Sequence, residues 1–254
     1  MIYITGDCHA EFNKFSMKAF PEQREMTRDD YVIVCGDFGG IWADTNTERY
    51  WLKWLAQKKF TLLFVDGNHE NFDRLYGDEF PVVDFCGGKA HQIRKNIFHL
   101  MRGYVFDLQG YKFFAFGGAS SHDIQDGVLN LEDYPTIKDL VKDYNFRTAN
   151  GEMLRINHIS WWKQELPSPD EMERGANNLK AVNNKVDFVI SHALPQQIVS
   201  CIFNGSEPDA ITEYFNELLN DGLDFKQWYC GHYHFEDRIQ GKYNILYHSI
   251  IRII

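Results

Sequence analysis

Three short apolar runs early in the chain each stop at a glycine followed by an acid or an amide. They are Ile2-Tyr3-Ile4 before Gly6-Asp7, Tyr31-Val32-Ile33-Val34-Cys35 before Gly36-Asp37, and Thr61-Leu62-Leu63-Phe64-Val65 before Gly67-Asn68. Apolar runs without alternation are the pattern of strands buried on both faces, and such strands belong to parallel sheets covered by helices. The intervening stretches, Phe12 to Phe20 and Thr47 to Lys58, read as helices, the second with Tyr50, Trp51, Trp54 and Leu55 at helical spacing. Alternating strand and helix predict an α/β fold. With 254 residues, 44% hydrophobic and 15% aromatic, the chain has material for one large core, and residues 1–254 are expected to form a single domain.

The second half keeps the strand signal but changes its rhythm. Ile97 to Leu100, Tyr104 to Leu108 and Lys112 to Phe116 lie close enough in sequence to predict antiparallel hairpins. From about 118 to 169 the regular pattern breaks, and this stretch is expected to be an insertion or cap. A helix follows over Asp170 to Asn183, its first turn acidic after Pro169, then a strand over Val186 to Ile190, a helix over Asp209 to Asn220, and strands from Gln227 through Tyr247.

A formal net charge of -10 disfavours non-specific nucleic-acid or anionic-membrane binding through the whole-protein field, without deciding whether a local basic path exists. No apolar run is long enough to span a bilayer, and the first residues enter a strand pattern without a secretory signal, so no membrane partner and a cytoplasmic location are expected. The five cysteines, Cys8, Cys35, Cys86, Cys201 and Cys230, are scattered without CxxC spacing, as reduced thiols are. Oligomeric state is not legible.

Five fragments stand at strand ends or in the turns after them: Asp7-Cys8-His9, Gly36-Asp37, Gly67-Asn68-His69-Glu70, Ser191-His192 and Gly231-His232-Tyr233-His234. In extended backbone, side chains two apart project to one side, so Asp7 with His9, and His232 with His234, are each expected to converge. The glycines would remove side chains where backbone and ion approach closely. Because the carboxyl ends of parallel strands share one edge, all five turns can meet in one crevice. The seven donors, Asp7, His9, Asp37, Asn68, His192, His232 and His234, are imidazoles, carboxylates and one amide without thiolate. That set suits divalent ions such as Mn²⁺, Fe, Zn²⁺ or Ni²⁺, and it exceeds what one four-coordinate ion needs. Two ions sharing a carboxylate would use them all.

These fragments, in this order, resemble the calcineurin-like metallophosphoesterases, whose pattern is DxH, GDxx, GNH followed by an acid, a lone His, and GHxH. The resemblance spans residues 7 to 234 and implies a four-layer α/β/β/α sandwich. It also implies Asp7, His9 and His234 on one ion, Asn68, His192 and His232 on the other, Asp37 between them, and His69 as the catalytic histidine. The reaction so implied is in-line attack on phosphorus by a water or hydroxide held between the ions, with His69 protonating the leaving oxygen or stabilising its charge. The Ser/Thr phosphoprotein phosphatase branch carries a second aspartate where this chain has Gly40, which weighs against that branch and leaves the partner of His69 open. The run Asn96-Ile97-Phe98-His99-Leu100, with Gly117-Gly118-Ala119-Ser120 and His122-Asp123, is similar to the RNA lariat debranching enzymes, although those carry a cysteine at the position of Asp7.

The expected substrate is a phosphomonoester or phosphodiester, nucleotide-like because aromatic residues crowd the insertion. Candidate substrate contacts are His122 and Asp123 after the Gly-Gly turn, Trp161 as a pocket wall, and Arg155, with Arg147, as a phosphate clamp. A nucleic-acid phosphodiesterase or nuclease is the alternative, and it requires a basic path beside the ions. A non-catalytic scaffold on the same fold is a third reading, weakened because every ligand and His69 are present. His91, His99, His158 and His248 lack such context and are read as structural or surface residues.

Overall fold

The computed structural model describes residues 1–254. Strands β1 (Ile2–Thr5), β2 (Tyr31–Cys35) and β3 (Thr61–Val65) are the three early apolar runs. They lie side by side in parallel, with helix α1 (Asn46–Ala56) before β3 and a single turn, α2 (Phe72–Leu75), after it. Strands β4 (Val82–Phe85), β5 (Gly88–Arg94) and β6 (Ile97–Leu100) complete the N-terminal half. A hairpin of β7 (Tyr104–Leu108) and β8 (Tyr111–Phe116) opens the second half. The stretch 118–169, read from the sequence without regular elements, holds β9 (Val128–Leu129), α3 (Ile137–Ala149) and β10 (Arg155–Ile156). The chain ends with α4 (Pro169–Ala181), β11 (Phe188–Ser191), α5 (Gln196–Ile202), α6 (Ala210–Asn220), β12 (Gln227–Cys230), β13 (Asp237–Ile239), β14 (Tyr243–Ile245) and β15 (Ile251–Arg252).

The strands form a seven-stranded sheet in the order β15-β1-β2-β3-β6-β5-β4 and a six-stranded sheet in the order β13-β14-β12-β11-β8-β7, with β9 and β10 paired apart. Side-chain alternation sorts each central strand between two cores. Ile2, Ile4, Ile33, Leu63 and Val65 face Phe113, Ala115, Phe188 and Ile190 across the seam between the sheets. Tyr3, Val32, Val34, Leu62 and Phe64 face the other way, onto Leu52 and Leu55 of α1 and onto Phe12, Phe15 and Phe20. Phe114, Phe116, Val189 and Trp228 meet Leu179 of α4 and Ile211, Phe215 and Leu218 of α6. Three cores separate four layers, the α/β/β/α sandwich that the resemblance implied.

Local differences from the sequence reading have physical causes. Phe12 to Phe20 is no helix. It forms one 3-10 turn over Phe12–Phe15, and a second follows at Pro21–Arg24. The carbonyls of Phe15, Ser16 and Phe20 accept from the buried amide of Gln23. In α1 the buried stripe runs through Glu48, Leu52 and Leu55, while Tyr50 is 60% exposed. Strands β7 and β8 form the predicted hairpin, but β6 does not join it: β6 lies parallel to β3 and antiparallel to β5 in the other sheet. The β4–β5 hairpin was not expected, because β4 is an edge strand of half-exposed residues without a buried run. Helix α5, only seven residues long, was also missed. No helix is long and apolar enough to cross a membrane.

Candidate metal centre

Asp7, Asp37 and Asn68 follow β1, β2 and β3, His192 follows β11, and His232 and His234 follow β12, so both sheets deliver donors to one crevice. The donors sit in turns beyond the strands. His9, Asp37, His232 and His234 have φ of +46°, +46°, +72° and +56°. Left-handed backbone costs a non-glycine residue on the order of 1–3 kcal/mol and persists where the surroundings impose it. The turns, rather than extended backbone, therefore aim these side chains. Asp7 and His9 do converge, with His9 Nε2 3.5 Å from Asp7 Oδ2. His232 and His234 separate instead, one ring beside His192 and the other beside His9.

The glycines make room for donors from neighbouring turns, not only for an ion. A Cβ on Gly36 would lie 2.2 Å from His192 Nδ1, one on Gly67 2.0 Å from Asp37 Oδ1, and one on Gly231 2.1 Å from Asp7 Oδ1. Each turn thus seats a side chain of the next.

Asp7, His9, Asp37 and His234 offer donor atoms that all lie within 4.8 Å of one another. His9 Nε2 and His234 Nε2 are 3.0 Å apart, and His234 Nε2 is 3.1 Å from Asp7 Oδ2. On the other side of Asp37, His192 Nε2 is 3.3 Å from Asp37 Oδ1, and the His232 ring lies 5.0 Å from that of His192. Asp37 Oδ1 also accepts the backbone N–H of His69 at 2.8 Å.

Buried polar atoms without partners test whether a cation fits. Asp7 Oδ2, Asn68 Oδ1 and His192 Nε2 are buried without a hydrogen bond, a cost of about 1–3 kcal/mol each where nothing compensates. Their orientation is fixed from behind. His192 Nδ1–H donates to Cys35 O at 2.7 Å, which leaves the Nε2 lone pair facing the crevice. The Asn68 amide donates through Nδ2 to Ser121 Oγ at 3.3 Å, which turns Oδ1 the other way. The donor set fits cations.

The electrostatics agree. Burial opposes a charged His192, yet the Asp37 and Asp7 carboxylates push its pKa up to about 9, the mark of a strongly cation-seeking spot. Burial opposes ionisation of Asp37 too, but the neighbouring imidazoles, His192 foremost, hold its carboxyl well below the usual range. Burial pushes His69 below its ordinary value, partly offset by Asp37. The Cys8 thiol, pushed up to about 12 by burial, stays protonated beside the donors.

His69 lines a cavity of about 770 Å³ together with Asp37, Asn68, His122, Asp123, His232 and His234. Its ring lies 5.3 Å from that of His9, and no side chain bonds its imidazole. Of the proposed substrate contacts, His122 and Asp123 line this cavity, whereas Trp161 and Arg155 do not. The Arg155 guanidinium is engaged by Asp123, Arg147 is engaged by Glu152, and Trp161 closes a turn on Ile156 through its backbone. Trp162 is core, donating to Asp73.

Three supporting residues were given no role from the sequence, although Glu70 stands in the Gly67-Asn68-His69-Glu70 fragment. Glu70, fully buried, accepts from the N–H of Phe38 at 2.7 Å and so fixes the Asp37 turn. Lys14 donates to the carbonyls of Asp7 and Tyr247, each at 2.7 Å, which ties the β1 turn to the chain's end. Glu165 accepts from both the N–H and the hydroxyl of Ser121. Glu165 lies far along the chain from the motifs, so spacing could not reveal it.

The sandwich and its crevice define a class: an α/β/β/α protein with a carboxylate and imidazole cation site at the seam of its two sheets. A model of the calcineurin-like phosphoesterases matches residues 1–236, and the chain belongs to that family. It is also similar to lariat debranching enzyme A of Xenopus laevis, 27% identical over 175 residues that make up 62% of this chain. The matched stretch spans only 30% of that protein's length.

Proposed function

We propose that the chain, as one domain with residues 118–169 as its cap, is a dinuclear metal-dependent phosphoesterase of compact phosphomonoesters or phosphodiesters, nucleotide-like ones included. The observation that carries this reading is the trio of buried, unpartnered donor atoms on Asp7, Asn68 and His192, drawn from both sheets into one crevice. Asp7, His9 and His234 would hold one ion and Asn68, His192 and His232 the other, with Asp37 shared. Two divalent cations, Mn²⁺ first among them, supply charge neutralisation for a phosphate and acidity for a water. Fe, Zn²⁺ and Ni²⁺ suit the same donors.

The residues supply the rest. His192 and Asn68 are locked by Cys35 and Ser121, so their donor atoms need no reorganisation. His69, beside Asp37 at the cavity wall and without a bonded partner on its ring, would give a proton to the departing oxygen or stabilise its charge. Phe203 and Tyr233, rings 5.6 Å apart, offer an apolar wall for the alcohol part of the ester.

The cavity wall includes Asp123, Glu207 and Asp209 and no lysine or arginine. A polynucleotide would bring further phosphates against those carboxylates without the basic path that such ligands need. This favours a substrate whose charge is confined to one phosphate. The likeness to a lariat debranching enzyme supports the diester alternative, and the assay below separates the two.

The test is Mn²⁺-dependent release of p-nitrophenol from p-nitrophenyl phosphate and from bis-p-nitrophenyl phosphate, with Asp37→Asn as control. Turnover lost in the variant by a factor of about 10³ or more supports the reading, and the preferred ester assigns mono- or diesterase chemistry. Metal-independent turnover would overturn the metal-dependent reading, and no turnover on either ester together with no metal uptake would overturn it in favour of a scaffold.

A further inference from the structure

His122 enters the site from the insertion. Its Nε2 lies 3.0 Å from His232 Nε2, the same separation as between His9 Nε2 and His234 Nε2. Two nitrogens bound at right angles to one ion, each with a bond of ~2.1 Å, are separated by about 3.0 Å. The spacing suits a shared cation.

The loop that carries His122 is held on both sides. Gly118, at φ +96°, donates its N–H to Asp66 O, and a Cβ there would meet Glu165 O at 2.6 Å. Ser121 is clamped by Glu165, through its N–H at 2.9 Å and its hydroxyl at 2.6 Å. Asp123 is paired with Arg155. Glu165 and Ser121 are 1% and 8% exposed, so the anchor is part of the interior while the His122 ring itself reaches out to the crevice. The same Ser121 hydroxyl accepts from the Asn68 amide, whose buried, unpartnered oxygen faces the crevice. Adjacent residues of one loop thus act on the same side of Asp37. Ser121 sets the amide of Asn68, and His122 presents a nitrogen beside that of His232.

We propose that His122 is a further protein ligand of the cation held by Asn68, His192 and His232, so that the insertion completes the second ion's coordination. This rests on the two-ion reading above. It gives that ion three imidazoles and the other ion two. It also gives residues 118–169 a task in the site beyond covering it, with the Glu165 to Ser121 contact as the strut.

The experiment is calorimetric titration of the metal-free protein with Mn²⁺, wild type against His122→Ala and Ser121→Ala, followed by pulsed electron-spin-echo spectroscopy of the loaded proteins to count coupled imidazole nitrogens. In His122→Ala the second equivalent is expected to bind 10- to 100-fold more weakly, on the scale of ligand-shell losses, with one fewer imidazole nitrogen and an unchanged first equivalent. The intact first equivalent certifies the fold. Ser121→Ala is expected to weaken the second equivalent while leaving the nitrogen count unchanged, which separates a ligand from a positioning residue. Two equivalents bound by His122→Ala with wild-type affinity and nitrogen count would overturn the assignment alone. A wild-type protein that takes up only one equivalent would overturn the two-ion reading and this assignment with it.

Discussion

At the scale of single residues, the site is a set of side chains that fit only because their neighbours have none. Gly231 shows this most sharply. A Cβ there would press on Asp7 Oδ1 at 2.1 Å and Cys35 O at 2.7 Å, with His192 Nδ1 at 3.2 Å. Gly231→Ala is therefore expected to lose about 1–3 kcal/mol of stability by overpacking and to lose metal uptake, measured by urea unfolding and by bound Mn²⁺ after gel filtration. A variant that keeps two equivalents would show that the crevice has slack the geometry denies. The candidate donors stood out in the sequence because most follow an apolar run at a glycine turn, His192 following Ser191 instead. Their aim was not legible. It depends on left-handed φ at His9, His232 and His234, which spacing alone does not reveal. For the same reason the roles of Glu70, Lys14 and Glu165 stayed hidden: each acts on backbone groups brought close only by the fold.

Among elements, a buried ion pair beside β3 also reaches residues 118–169. Arg102, 1% exposed, engages Asp66 at the end of β3 and donates to Gln164 O at 2.8 Å. The pair lies between the N-terminal sheet and the 3-10 turn that carries Glu165. Removing one member of such a pair strands the other's charge, so Arg102→Leu is expected to cost about 3–5 kcal/mol in chemical denaturation. Proteolysis at 118–169 should rise with it. A loss under about 1 kcal/mol would mean that Asp66 finds another partner. The sequence reading found α4, which starts behind a Ser168–Glu171 capping box. It missed β4 and α5, which are short and carry little periodic signal, it missed α3, whose one fully buried residue is Leu140, and it misplaced β6. The choice between two sheets is made by long-range packing and not by the run Ile97-Phe98-His99-Leu100.

For the molecule as a whole, a chain of histidines between strands sets a pH dependence of stability. His99 donates through Nε2–H to the ionised Asp66, at 2.9 Å, so its Nδ1 accepts from His91 Nδ1–H at 3.0 Å. Burial, with His99 alongside, lowers the pKa of His91 from 6.5 to about 3, and Asp66 offsets only part of this. The unfolded chain therefore binds a proton at His91 that the folded chain refuses between those two values. Stability from this source is complete above about 6.5 and falls as the pH drops toward 3, by up to about 1.4 kcal/mol per pH unit. Between pH 7 and pH 5 the wild type should lose about 2 kcal/mol more than His91→Gln, compared by urea unfolding at each pH. Parallel losses in the two proteins would mean that His91 is charged in the fold.

The backbone N–H of His232 donates to Asp7 Oδ1 across 225 positions of sequence, and Gly36 leaves space for a ring from the opposite sheet. In a chain emerging from the ribosome, Asp7, Asp37 and Asn68 are therefore exposed to the cell long before the histidines that complete their crevice have been made. The full donor set exists only once His232 and His234 have been made and the two sheets have closed on each other, so filling of the whole crevice is timed by folding.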